Sequence, residues 1–382
     1  MNFDSIRCYT DEEVSGTLLK LTEEKPFMNV LGTVFPLLPK DVLKLRLHSF
    51  RTILDFQKGI IYPFMKGLEE TKTKGVTLLG LDDIDRSKGH LYISNHRDII
   101  LDSAFLCIKL LEAGLDTIKI AIGDNLLIYP WIEDLVRINK SFIVRRGVSN
   151  REFLESSQLL SAYIADSIAR ENQSVWIAQR EGRSKDSNDH TQESVLKMLN
   201  MYGDGNFIEN LLPLNIVPVS ISYEYDPCDY LKTKEFQQKR DNPDFKKSPK
   251  DDLTSMEIGV MGYKGRITYT TAECINEKLL QIAGENLPKK EEVTQVATLI
   301  DRQIHANYVI YRNNKIAYDL LTNEKRFEKE YSAIERLDFE RYLMRQIEKI
   351  DLEQKDNVFL RQKLLEMYAN PLINHLKAIG EK

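Results

Sequence analysis

Cysteine is scarce and scattered. The four cysteines of the 382-residue chain, Cys8, Cys107, Cys228 and Cys274, form no Cys-x-x-Cys pair and no dense spacing. That excludes a zinc ribbon, a dithiol redox site and a disulfide scaffold, and fits a reducing cytoplasm. Long apolar runs are missing too. No window of about 18 residues escapes charge, so a membrane-spanning helix is not expected, and the opening MNFDSIRCYTDEEV lacks the basic and then apolar run of a secretory signal. Positive charge is not in excess: 53 Lys and Arg against 58 Asp and Glu leave a formal charge of −5, which disfavours nucleic acid as a partner. The sequence has no GxGxxG after a strand, no GxxxxGK[ST] phosphate loop, no HExxH pair and no Gly-x-Ser-x-Gly elbow. A metal site is therefore not expected, and neither is a serine nucleophile. No repeat or low-complexity tract is present.

What the chain does have is 42% hydrophobic residues, enough for one large core or two smaller ones. Its texture divides it into residues 1–72, 73–284 and 285–382. The first part reads as helices joined by a turn at Lys25-Pro26 and a loop over Pro36 to Pro39. Within 41–61, Leu43, Leu47, Phe50, Leu54 and Ile61 recur at helical spacing and predict one apolar face. That face must be covered, by the rest of the protein or by a lipid surface with Lys44, Arg46, Arg51 and Lys58 near the headgroups.

From about 75 to 272 short β-branched runs alternate with helical stretches. Strands are expected at Val76 to Leu79, Leu91 to Ser94, Ile118 to Ile122, Phe142 to Arg145, Val175 to Ala178, Ile216 to Ser222 and Arg266 to Thr271. Helices are expected at about 99–113, 125–137, 150–171 and 191–202, the third behind a capping box of Ser149 and Glu152. The alternation predicts an α/β fold: a mainly parallel sheet with helices on both faces, plus N-terminal and C-terminal helical extensions. Ligands of such sheets sit beyond the carboxyl ends of the strands. Residues 231–250, with seven Lys or Arg against three acidic residues and two prolines, read as a surface loop too polar to bury. Beyond Gly284 no glycine occurs until Gly380, so the tail supports long helices.

Three strand ends carry chemistry. Leu91-Tyr-Ile-Ser-Asn-His-Arg-Asp-Ile-Ile-Leu-Asp102 delivers His96 to the turn after a buried strand and places Asp102 in the first turns of the next helix. An imidazole held by a carboxylate at one nitrogen can take a proton from a hydroxyl at the other. Asp98 competes for that orienting part, or caps the helix beside a lone surface histidine. Phe142-Ile-Val-Arg-Arg146 ends a strand in Arg145 and Arg146, a pair able to clamp a phosphate or carboxylate. Val175-Trp-Ile-Ala-Gln-Arg-Glu-Gly-Arg-Ser-Lys185 repeats the design, with Glu181, Gly182, Arg183, Ser184 and Lys185 in a glycine-softened turn. The other five histidines, His48, His90, His190, His305 and His375, read as structural or surface residues.

Taken in order, these runs and the strand Ile216-Val-Pro-Val-Ser-Ile-Ser-Tyr-Glu224 resemble the glycerolipid acyltransferase family, above all its bacterial glycerol-3-phosphate and dihydroxyacetone-phosphate branch. The family pattern is His, four residues, Asp; then Phe-Ile and arginine; then Glu-Gly-x-Arg-Ser; then an apolar strand with proline. Here five residues separate His96 from Asp102, and Glu181-Gly182-Arg183-Ser184 is one residue shorter. The resemblance covers about 75–272. It implies transfer of a fatty acyl group from an acyl-CoA or acyl carrier protein thioester, a donor substrate and not a cofactor, to a hydroxyl of glycerol 3-phosphate or lysophosphatidic acid. His96 would be the base, Asp102 its orienting carboxylate, and Arg145, Arg146, Arg183 and the Glu181–Lys185 turn the acceptor's phosphate site. The lysines of 231–250, among them Lys246, Lys247 and Lys250, would meet the donor's phosphates or an acidic carrier. A cytoplasmic protein peripheral to the membrane is expected. A lysophospholipase or thioesterase using the same His and Asp, an acyltransferase of a lyso amino-acid lipid, and a noncatalytic lipid or carrier-binding module are the competing readings.

Overall fold

The computed structural model describes residues 1–146 and 150–381. Its centre is a seven-stranded sheet of β1 (Val76–Leu79), β2 (Leu91–Ser94), β3 (Lys119–Gly123), β4 (Ser141–Val144), β5 (Val175–Ala178), β6 (Ile216–Tyr223) and β7 (Ile267–Thr271), in the order β1-β7-β6-β2-β5-β3-β4. All neighbours are parallel except β6 and β7. The carboxyl ends of β6, β2, β5, β3 and β4 therefore share one edge, while β1 and β7 run the other way. Every expected strand is present within a residue or two.

Strand alternation makes the two faces. On one, Leu91, Ile93, Val175, Ile177 and Ile216 pack under Leu160, Ile164 and Ile168 of the helix Asn150–Ala169 and under Val293, Val296, Ile300 and Ile304 of the helix Lys289–Ala306. On the other, Tyr92, Trp176, Val217, Val219 and Ile221 meet Leu101, Phe105, Leu106 and Ile108 of the helix Leu101–Glu112. The Ser149 half of the expected capping box lies outside the described residues. Pro218 is tolerated in the central strand because its carbonyl faces Ala272 just past the end of β7, where the β6–β7 ladder no longer requires a donor.

Two expectations are corrected. The single face over 41–61 is broken. The helix Lys40–Ser49 ends, Thr52 caps a new start by accepting from the Asp55 amide, and Phe50 packs into the space that Gly59 leaves by having no side chain. Leu43 and Leu47 are buried against Val14, Leu18, Leu21 and Phe27, so protein and not lipid covers them. The stretch 231–250 is no loop: the helix Asp229–Asp241 runs through it, followed after a short link by the helix Pro249–Met261. Its polar residues are buried because partners both near and far in sequence neutralise them. Lys232 pairs with Asp226, and Glu235 is surrounded by Lys185, Lys239 and Lys247. Burial without such partners would be prohibitive.

The C-terminal helices Arg312–Thr322, Ala333–Glu348 and Asn357–Ile379 form a cluster around Ile316, Phe339, Leu343 and Leu364. Asp229 ties it to the rest by accepting from Tyr342 and Tyr368 hydroxyls at 2.5 and 2.8 Å and from the Gln346 amide at 2.8 Å. Burial pushes the Asp229 carboxyl up to about 6. Among the described residues no helix is long and apolar enough to cross a membrane.

Candidate active site

The turn after β2 is built to hold its side chains still. Asn95 continues the sheet with its amide, donating to the Ile221 carbonyl at 2.9 Å and accepting from the Ile221 N–H at 2.8 Å. Trp176 donates to the Ser94 hydroxyl at 3.0 Å and meets the His96 ring edge-on at 5.7 Å. His96 is then fixed by Asp102, whose Oδ2 lies 2.8 Å from Nδ1. A carboxylate can only accept, so Nδ1 carries the proton and Nε2 presents the lone pair. The His96 side chain is 14% exposed, Asp102 only 1%.

Five intervening residues suffice because the turn folds back on the carboxylate. Asp102 Oδ2 also accepts from the backbone N–H groups of Arg97 at 2.6 Å and Asp98 at 3.0 Å. Asp98 takes the capping part instead: its Oδ1 accepts from the Ile100 and Leu101 amides at 2.9 and 2.8 Å, while its Oδ2 faces Gly259 of the helix Pro249–Met261. It makes no bond to His96. Burial, and next the Asp102 charge, push the Asp98 carboxyl up, opposed by the Leu101 and Ile100 amides and by the charge of Arg183.

The arginines follow the ends of β4 and β5. Arg183 follows β5, the strand beside β2; its charge acts on Asp98, and its Nη1 is buried with no hydrogen-bond partner. Gly182 makes the bend with φ of 68°, a conformation glycine adopts without strain. Arg146 follows β4, which β3 and β5 separate from β2, about 14 Å at the usual strand spacing. Its side chain closes part of that gap by lying over Gly123, whose missing side chain leaves the room, and reaching Glu181 Oε1 at 3.7 Å. Its amide donates to Asp124 at 3.1 Å. Arg145 is exposed beyond the edge strand. Ser184 is buried, donating to Asp186 at 3.1 Å.

Lys185, expected in the phosphate site, has a protein partner. It is bonded to Glu235, and burial brings its ammonium down to about 8. The cause is the helix that stands where a loop was expected. Sequence reasoning missed Arg180. It lies two residues past Ala178, the partner of Ser94 at the end of the β2–β5 ladder, half-buried and with Nε lacking a partner. The signal was available in the strand register, not in the motif.

Residues 75–222 match the family model described as Acyltransferase. No curated protein matches. Among solved structures, the 1-acyl-sn-glycerophosphate (LPA) acyltransferase PlsC from Thermotoga maritima aligns at 13% identity, covering 73% of this chain and 95% of that one, with a TM-score of 0.32. The matched stretch, residues 75–222, holds the His96–Asp102 pair and the arginines after β4 and β5.

Proposed function

We propose that this enzyme transfers a fatty acyl group from an acyl-CoA or acyl carrier protein thioester to a hydroxyl of glycerol 3-phosphate or lysophosphatidic acid. The observation that carries the reading is the 2.8 Å His96–Asp102 contact at the edge where Arg183 and Arg146 also end their strands. In the reaction, His96 Nε2 removes the acceptor's hydroxyl proton as the oxygen attacks the thioester carbonyl. The tetrahedral intermediate collapses, the C–S bond breaks, and the His96 imidazolium returns the proton to the leaving thiolate. Asp102 stabilises the imidazolium electrostatically. Arg183 and Arg146 bind the acceptor's phosphate, so that orientation lowers the barrier, an effect worth up to about 7–11 kcal/mol in well-aligned systems. No acyl-enzyme intermediate is required.

A membrane is the natural source of such lipids. Val30, Leu37, Val42 and Leu45, on or between the helices Lys25–Val34 and Lys40–Ser49, are 54, 92, 46 and 71% exposed, with Lys40, Lys44 and Arg46 among them. Apolar side chains bordered by cations suit an anionic bilayer face.

The test is purified protein with labelled palmitoyl-CoA or palmitoyl carrier protein against glycerol 3-phosphate and lysophosphatidic acid, beside His96→Ala. Acylated acceptor formed by wild type and lost in the variant is expected. Fatty acid released at an acceptor-independent rate would make the protein a hydrolase and end the proposal.

A further inference from the structure

We infer that Arg97 and Asp189 form a positioning pair that holds the base turn and the arginine-bearing turn in register, and thereby sets the spacing between hydroxyl and phosphate that an acceptor must have. The inference deepens the acyl-transfer reading and rests on it.

Arg97 is fastened at three points. Its N–H donates to Asp102 Oδ2 at 2.6 Å, its carbonyl accepts from Lys232 Nζ at 2.9 Å, and its guanidinium Nη2 lies 2.7 Å from Asp189 Oδ2. The two side chains of the ion pair are 6 and 0% exposed. Asp189 belongs to the segment that continues from Arg180 and Arg183, and it is fastened equally well. Tyr308 donates to its Oδ2 at 2.7 Å and also lies under the guanidinium at 5.8 Å, while His305 Nε2 is 2.9 Å from its carbonyl. Asp301 accepts from the Thr191 amide and hydroxyl at 2.7 and 2.6 Å, and Asn370 donates to the Asp186 carbonyl at 2.7 Å. The helices Lys289–Ala306 and Asn357–Ile379 thus fix one turn, and Arg97 joins it to the other.

The arrangement suits spacing rather than contact with substrate. Arg97 lies among Tyr308 and Asp189, with the core that includes the Lys289–Ala306 helix, whereas His96 meets Trp176 and Asp102 on the other face of the sheet. A buried ion pair is a poor source of net stability compared with apolar packing, yet it is stiff and directional. Arg97 Nη1, Asp189 Oδ1 and both amide atoms of the fully buried Gln179 have no protein partner, and a cavity of ≈ 30 Å³ touches Arg97, Tyr223 and Tyr308. That volume holds about one water. The pair adjoins the base through one peptide N–H, so a change in its length moves His96 relative to Arg183. A displacement of 1 Å can cost about 10²-fold in rate.

The test uses alkanediol monophosphates with two, three or four carbons between hydroxyl and phosphate, with palmitoyl-CoA as donor. Wild type is expected to peak at one length. Asp189→Glu adds a methylene, and should flatten or shift that peak and lower kcat at the wild-type optimum about 10²-fold, with acceptor KM within about threefold. Arg97→Lys should behave likewise. The double variant Arg97→Lys/Asp189→Glu, in which lost and gained length offset, should recover at least about tenfold of the rate. An unchanged length profile, with kcat falling only as far as thermal unfolding shows loss of folded enzyme, overturns the inference, as does a flat wild-type profile. Wild type inactive on every member removes the acyl-transfer reading and the inference with it.

Discussion

Asp102→Asn isolates the charge behind the proposed base, His96. Three donors, His96 Nδ1–H and the Arg97 and Asp98 amides, converge on one oxygen, and an asparagine oxygen can occupy that place. The turn should survive, while the amide nitrogen takes the position of Oδ1, which is buried without a partner. That substitution should cost about 1–3 kcal/mol of stability. The kinetic loss is larger. Two unit charges about 4 Å apart interact by about 4 kcal/mol at an effective dielectric constant of about 20, and 1.36 kcal/mol is a factor of about ten in rate. Removing the carboxylate charge should therefore lower kcat about 10³-fold, with acceptor KM little changed. Thiol released from palmitoyl-CoA, followed with a thiol-reactive dye, reads this directly, and circular dichroism checks folding. Asp98→Asn is the control: asparagine caps helices as well as aspartate, so kcat should stay within about threefold. An Asp102→Asn enzyme of normal kcat beside a crippled Asp98→Asn enzyme would refute the reasoning.

Arg183→Ala should raise acceptor KM at least about tenfold, whereas Lys185→Met, whose ammonium is occupied by Glu235, should change it less than about threefold; steady-state kinetics in acceptor separates them. Gly259→Ala would put a methyl 2.2 Å from Asp98 Oδ2, so urea unfolding should show a loss of about 1–3 kcal/mol. Asp229 gives a pH prediction. Its folded value of about 6 lies above the model-peptide 3.8, so the folded state binds the proton more tightly and the Asp229 contribution to stability declines as pH rises from about 4 to 6. Asp229→Asn removes that decline: its stability relative to wild type should improve by up to about 3 kcal/mol between pH 4 and 7, and a difference independent of pH would contradict the assignment.

The sheet was legible because β-branched runs such as Ile216–Tyr223 and Val175–Ala178 sit between turn residues and report their own conformation. The His96–Asp102 contact was legible for the same reason, since strand, turn and helix are contiguous. The helix Asp229–Asp241 was not. Its burial depends on Lys185 and Tyr342, and side-chain pairing over such distances leaves no local periodicity to read. The Glu235 partner of Lys185 was hidden for the same reason, because it lies 50 residues away in sequence. Arg180 needed the β2–β5 register, and the anchoring of Asp189 by His305 and Tyr308 needed the packing of the Lys289–Ala306 helix and the segment after it.

A crystal structure with glycerol 3-phosphate bound would test the account most directly. It should show phosphate oxygens within hydrogen-bond reach of Arg183 or Arg146 and a free hydroxyl about 3 Å from His96 Nε2. Phosphate held at a place from which no hydroxyl of the same molecule can reach His96 would contradict it.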